Sequence, residues 1–253
     1  MKILSYNISW ECMTNSSQGS AGNLGKLCVN NVCLKNVASY INYVNKKLNF
    51  IDIIAFQEIA NEKKLFSEID GFDGYYYTKK SKSGPETMIT CFNKKLKLIR
   101  SYCGSFKKGR PYQILEFPDF FFVNLHYGNR GDICDLQKSL SYGFGKLKSE
   151  KNKLVFVAGD FNFNWWIYQK NRFQISFDKN YQNLEFQPFT QIPQKVYLKT
   201  PVKTCCSNSS KDGKKMRYIG DFVMTPYKNT KNVVYYKNMI KGLSSDHYPV
   251  LYK

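Results

Sequence analysis

Six short apolar runs in this chain each stop at a tight group of hydrogen-bonding residues, and that repeated design narrows the architectures open to it. Ile3-Leu4 runs into Ser5-Tyr6-Asn7, Ile53-Ile54-Ala55-Phe56 ends in Gln57-Glu58, and Phe121-Phe122-Val123 ends in Asn124-Leu125-His126. Leu154 to Ala158 leads to Gly159-Asp160-Phe161-Asn162, and the last two groups are Ile219-Gly220-Asp221 and Ser245-Asp246-His247. Runs this short, rich in β-branched and aromatic residues, read as strands. Ligands and catalytic groups collect at strand ends, where a rigid sheet aims them. One such group is as readily an ordinary turn; six in one chain are not explained that way. The only two histidines, His126 and His247, both fall in these groups. Imidazole has an unperturbed pKa near neutrality, so the pair points to acid–base chemistry; the competing reading is two packed structural histidines.

The rest of the pattern sets these strand ends in an α/β frame. Val37, Ile41, Val44 and Leu48 recur at helical spacing, as do Ile133, Leu136, Leu140, Phe144 and Leu147. A short helix is expected within 61–69. Further strands are expected at Tyr75–Tyr77, Thr87–Phe92, Leu96–Tyr102, Tyr112–Phe117, Val233–Tyr236 and Tyr248–Leu251. Residues 11–33, rich in Ser, Asn, Gly and Cys, read as a long loop, and 160–195 give no clear pattern. The order β-α-β, several β, α-β and then β, with no repeat or linker, implies two packed sheets flanked by helices in a single domain, 1–253.

The formal net charge is +19, a field that favours polyanions: nucleic acid, anionic membrane or phosphorylated ligands. Only five of the 38 basic residues are Arg, so a compositional bias toward Lys, Asn, Ile, Tyr and Phe accounts for part of that charge. The same bias does not lower Asp and Glu to 19. The apolar run at the N-terminus is too short for a secretory leader and no run matches a bilayer, so an intracellular protein, cytoplasmic or nuclear, is expected. In such a compartment the eight cysteines are expected to be mostly reduced, and the loose spacing of Cys12, Cys28 and Cys33 argues against zinc.

The ordered set from Asn7 to Asp246-His247 resembles the endonuclease/exonuclease/phosphatase superfamily, the deoxyribonuclease-I-like fold, over nearly the whole chain. Its motifs are closest to the deoxyribonuclease I and tyrosyl-DNA phosphodiesterase branches. The resemblance implies a four-layer α/β sandwich with two mixed, mostly antiparallel sheets, and hydrolysis of phosphate esters with Mg2+, for which Mn2+ substitutes. It makes Glu58 the principal metal ligand, a hard carboxylate for a hard ion, helped by Asn7 and Asp246. It makes Asp160 and Asn162 the pair that aligns water and grips phosphate, and His247 the histidine beside the phosphorane, its other nitrogen held by Asp221. Glu86 stands where deoxyribonuclease I has a glutamate that orients the histidine matching His126. Two carboxylate–histidine pairs, Glu86–His126 and Asp221–His247, are therefore expected either side of the scissile phosphate; the alternative for Glu86 is a solvent-exposed strand residue. Deoxyribonuclease I is secreted and acidic with a structural disulfide, unlike this basic chain, and residues 11–33 match nothing in it.

Arg110 and Asn124 are the expected phosphate contacts. Basic segments at Lys79–Lys82, Lys107–Arg110 and Lys211–Arg217 could follow a nucleic-acid backbone, and Trp165-Trp166 could stack bases, although solvated turns and core packing explain each as well. The first expectation is a magnesium-dependent nuclease acting on DNA as a monomer. The alternatives are a repair phosphodiesterase removing 5′ adducts from DNA, a phosphatase or phosphodiesterase on RNA, inositol phosphate or sphingomyelin, or a non-catalytic binding module on the same fold.

Overall fold

A computed structural model of the protein describes residues 1–18, 22–60, 62–81, 84–107, 109–128, 133–147, 153–162, 220–224, 232–234, 245 and 247–253. One sheet holds β1 (Ile3–Asn7), β2 (Ile53–Ile59), β3 (Phe72–Ser81), β4 (Gly84–Asn93), β10 (Asn232–Val234) and β11 (Val250–Tyr252), in the order β10-β11-β1-β2-β4-β3. The other holds β5 (Arg100–Ser105), β6 (Pro111–Glu116), β7 (Phe120–His126), β8 (Leu154–Asp160) and β9 (Asp221–Met224), in that order. β1 pairs parallel with β2 and β7 parallel with β8; the other pairings are antiparallel.

Alternation along the strands builds three stacked interfaces, because successive side chains leave a strand on opposite faces. Leu4, Tyr6, Ile54 and Phe56 point outward and pack with Val37, Ile41 and Val44 of helix α3 (Val32–Lys47). Phe121, Val123, Val155 and Val157 point outward from the second sheet and pack with Leu136, Leu140 and Phe144 of α5 (Ile133–Leu147). Between the sheets lie Ile3, Ile53, Ala55, Phe120, Phe122, Phe156, Ala158 and Val223. The four-layer order, helix on sheet on sheet on helix, is the expected sandwich. The short helix α4 (Glu62–Ser67) falls inside the span expected for it.

Residues 11–33 depart from the expected loop. They contain α1 (Trp10–Thr14), α2 (Gly22–Gly25) and a 3-10 turn, Val29–Asn31. Cys12, Met13, Leu24 and Cys28 are buried in the cluster beneath α3, so tertiary burial overrides a composition that locally favours turns. Asn30 and Asn31 both adopt the left-handed conformation (φ 55° and 58°), and the turn brings the Cα atoms of Cys28 and Cys33 to 5.2 Å, joined by a disulfide. The expectation of reduced thiols is corrected for these two; Cys12, Cys91 and Cys103 carry thiols.

Candidate active site

The polar strand ends share one face because they share one parity. Asn7 continues the inward series from Ile3, Gln57 that from Ile53 and Ala55, and His126 and Asn124 that from Phe120 and Phe122. Asp160 continues the series from Phe156 and Ala158, and Asp221 that of Val223. All converge at one end of the space between the sheets. Glu58 breaks the rule, since it should face away from Gln57. The β2–β4 register shifts between Phe56 and Ile59, and Glu58 takes φ 51°. This bulge turns the carboxylate into the site, where backbone strain is commonly stored.

Two histidines are held by two carboxylates. His126 Nδ1 lies 2.5 Å from Glu86 Oε1, and His247 Nδ1 lies 3.1 and 3.0 Å from the two oxygens of Asp221. Glu86 is only 12% exposed in its side chain and also accepts from Arg110 Nη1 at 2.7 Å, so it is no solvated strand residue. The free edge of each imidazole points at Asp160: Oδ2 is 3.5 Å from His126 Nε2 and 4.0 Å from His247 Nε2. Glu58 Oε1 is 3.4 Å from the same His126 nitrogen and 3.6 Å from Arg110 Nη1. Among the described residues His126 Nε2 is buried without a hydrogen bond, an orphan aimed between two carboxylates.

Asp160 is itself fixed. Asn7 Nδ2 and Asn162 Nδ2 each donate to its Oδ2 at 3.0 Å, and the Asn162 backbone N–H donates to Oδ1 at 2.8 Å. Asn162 also donates to the Tyr127 carbonyl at 2.8 Å, from a left-handed backbone (φ 51°). Gly159 precedes it because a Cβ there would run into the Leu125 carbonyl of the neighbouring strand. Asn7 Oδ1 accepts from the Ser9 N–H at 3.0 Å. Ser245 Oγ donates to the Asn7 carbonyl at 2.7 Å and accepts from the His247 N–H at 3.1 Å, which ties the His247 segment to the end of β1.

Burial and neighbours set the charges. Burial pushes the Glu58 carboxyl up, and the His126 and Arg110 charges offset it only partly. Asp160 is pushed up by burial and then by the nearby Asp221. Burial also raises Glu86, but His126 and Arg110 outweigh it and hold that carboxylate below its ordinary range. Burial alone would lower His126; the Glu86 carboxylate reverses the sign and raises it. Two desolvated carboxylates facing an orphaned nitrogen form a donor set of hard oxygens that a divalent cation would relieve. Asp160, Asp221 and His247 also place ligand atoms within 4.8 Å of one another, although Asp221 and one His247 nitrogen are already engaged with each other.

Asn124 does not fit the phosphate contact expected of it. It is fully buried, accepts from Gln57 Nε2 at 2.8 Å, and donates toward the Phe56 and Ile89 carbonyls at 3.2 and 3.1 Å, with Thr90 Oγ1 and Gln113 Oε1 at 3.2 and 3.3 Å. Gln113 accepts from Thr90 at 2.8 Å and donates to the Tyr75 carbonyl at 3.0 Å. This belt of buried amides bridges the two sheets beneath the site. Gln113 and Thr90 carried no signature of their own, inward parity being the available signal, whereas Ser245 stands in the Ser245-Asp246-His247 group. Arg110, 37% exposed in its side chain, lies against Glu86, Glu58 and His126. Asp246, Trp165, Trp166, Lys82, Lys108 and Lys211–Arg217 lie outside the described residues, as do the side chains of Lys79 and Lys80.

No family model matches the chain. An uncharacterised protein of Acanthamoeba polyphaga mimivirus, L684, is 27% identical over 220 residues, covering 78% of this chain and 43% of that protein. The chain thus spans less than half the length of that relative. Among solved structures, ANGEL2, a 2′,3′-cyclic phosphatase, superposes with a TM-score of 0.63 at 13% identity, over 99% of this chain and 93% of its own. Danio rerio TDP2 complexed with a single-strand DNA product gives 0.59 at 15% identity, over 100% and 97%. Identities this low speak for a shared fold.

Proposed function

On a chain with the deoxyribonuclease-I-like fold of the endonuclease/exonuclease/phosphatase superfamily, a fold that carries phosphoester hydrolysis, we propose a divalent-metal-dependent phosphodiester hydrolase that cleaves DNA. One observation carries the reading: two histidines, each oriented by its own carboxylate, converge on Asp160 Oδ2 from either side. A group that takes a proton and a group that gives one are thereby fixed across a space lined by Asp160, Glu58 and Arg110. Asp221 holds the Nδ1–H of His247, so Nε2 presents a lone pair to an attacking water. Glu86 favours protonated His126, which suits it to deliver a proton to the leaving oxygen. Arg110 spreads positive charge toward the phosphoryl oxygens, and Asn7 and Asn162 hold Asp160 in place as it aligns the water. Glu58, with Asn7 and Asp246, would hold the cation; Mg2+, or Mn2+ in its stead, would neutralise charge on the phosphate and polarise it toward attack.

The net charge of +19 supports a nucleic acid as the partner. No helix among the described residues is long and apolar enough to cross a membrane. The single-strand DNA in the TDP2 neighbour supports a second reading, release of 5′ adducts from DNA ends. Nicking of supercoiled plasmid with Mg2+, beside EDTA and His247→Ala controls, tests the first reading. Metal-dependent nicking lost in the variant is expected. Absence of nicking, with turnover of a 5′-tyrosyl oligonucleotide, would transfer the assignment to adduct release; no turnover of either would overturn both.

A further inference from the structure

A groove of about 480 Å³ opens beside this site and shares none of its acid–base residues. It runs between the end of β3, the edge strand β5 and helix α5, and its walls are Tyr77, Tyr102, Tyr112 and Tyr142, with Lys138 on its rim. Among the described residues no acidic side chain lines it. Its volume is that of a pocket for a small ligand or one unit of a polymer.

The walls are specifically accommodated. Gly104 lies under the Tyr112 ring, and a Cβ there would strike Cζ and the hydroxyl, which donates to the Ser139 carbonyl at 2.7 Å. Gly143 lies under Tyr102, and a Cβ there would stand 2.7 Å from Ile114 and 3.0 Å from the Tyr102 ring. Two glycines, one on each side of the groove, thus let tyrosine rings lie against backbone. The rings continue as a ladder: Tyr142 to Tyr102 (6.3 Å), Tyr102 to Tyr112 (6.2 Å), Tyr112 to Phe106 (4.9 Å) and Phe106 to Tyr127 (4.7 Å). Tyr127 follows His126 in the chain. At the same end Ser105, which lines the groove, pairs with Pro111, the residue after Arg110. The groove therefore begins one residue pair from the backbone of Arg110 and ends at Tyr142, 59% exposed. Lys146 holds its ammonium 5.0 Å over the Tyr142 ring.

We infer that this groove is a track for single-stranded nucleic acid, which stacks an unpaired base on Tyr142 and Tyr102 and sets its backbone phosphate against Lys138. The inference rests on the phosphodiester reading of the neighbouring site. Aromatic platforms with a basic rim and no acid bind unpaired bases without sequence preference. A duplex keeps its base faces stacked and has nothing to offer those rings. With Ser105 at the groove's end paired to Pro111, a strand held here would run toward Arg110.

The test uses the full chain with His247→Ala, so that binding is read apart from turnover. Fluorescence anisotropy measures the affinity of a fluorescein-labelled 12-mer as single-stranded DNA, single-stranded RNA and duplex DNA. Tyr142→Ala is compared with Tyr43→Ala, a matched control: Tyr43 is also exposed (40%), on α3, with Lys47 5.6 Å over its ring. Loss of one stacked base corresponds to a weakening of about 5- to 150-fold. That loss is expected for Tyr142→Ala with single strands, in DNA, RNA or both, and not for Tyr43→Ala or for duplex. Single-strand affinity within about twofold of the parent, or an equal loss from Tyr43→Ala, would overturn the inference. Wild-type protein inert on every phosphodiester would sink the hydrolase reading while leaving the affinity ratio to judge the groove.

Discussion

Replacing Asn124 by Leu separates two roles that the same residue could hold. Leu keeps the branched heavy-atom outline of Asn and opens no cavity, but its methyl groups are bulkier than the amide, so some crowding adds to the loss of hydrogen bonds. The amide accepts once, from Gln57, and its two N–H groups serve the Phe56 and Ile89 carbonyls, with Thr90 and Gln113 sharing them. Three bonds at roughly 1 kcal/mol each give a loss of about 3 kcal/mol. The residual contact of Gln57 Nε2 with the Ala55 carbonyl, 3.1 Å, keeps that donor from being fully orphaned and limits the penalty. For a chain of this length the expected fall in Tm is about 6–12 °C. Urea unfolding followed by far-UV circular dichroism should show a lower midpoint at unchanged slope. An unchanged midpoint together with a raised KM for a phosphodiester would refute the reasoning and return Asn124 to the phosphate.

Asp221→Asn keeps the shape beside His247 but offers its Nδ1 the wrong partner; kcat should fall on the order of 10²- to 10⁴-fold with the fold intact, read by steady-state kinetics and circular dichroism. Gly159→Ala forces a methyl into the Leu125 carbonyl and should cost about 1–3 kcal/mol in urea unfolding while displacing Asp160, so activity falls as well. Burial raises the Glu116 carboxyl, but hydrogen bonds from Lys153 (2.7 Å) and Arg100 (2.8 Å) outweigh it and hold it below the ordinary 4.5. Its stabilisation is therefore complete above about pH 4.5 and is lost as pH falls through the lowered folded value; Glu116→Gln should flatten that acid limb in thermal melts from pH 3 to 7, roughly 1–3 kcal/mol in height. Chelation by EDTA should abolish turnover without unfolding the protein, and readdition of Mg2+ should restore it; turnover that survives chelation would remove the cation from Glu58.

Much of the sandwich was legible because its central strands bury both faces, and continuous apolar runs such as Phe120–Val123 and Leu154–Ala158 have few other uses. Inward parity then put Asn7, His126, Asp160 and Asp221 together, and the Glu86–His126 and Asp221–His247 pairs stand within hydrogen-bond distance. What stayed hidden depends on events a periodicity cannot carry. The inward turn of Glu58 is a one-residue bulge. The short helical turns α1, α2 and Val29–Asn31 form because Cys12, Met13 and Leu24 find the underside of α3. Asn124 looked like a site residue because its type and position are those of one; the amides of the opposite sheet consume it. The tyrosine groove draws its rings from β3, β5, β6 and α5, which no local window joins.

The β1–β11 pairing has a consequence for the timing of activity. Ile3 lies against Tyr252, and Ser245 reaches the Asn7 carbonyl, so strands made first and last in this sequence sit side by side and bring His247 to Asp160. A chain cut before Ser245 would keep Glu58, His126 and Asp160 but lack His247 to complete the constellation. Such late closure also makes folding slow, because so distant a contact must be found before it rewards the chain. The constellation is therefore complete only once the segment carrying Ser245 and His247 has docked against β1.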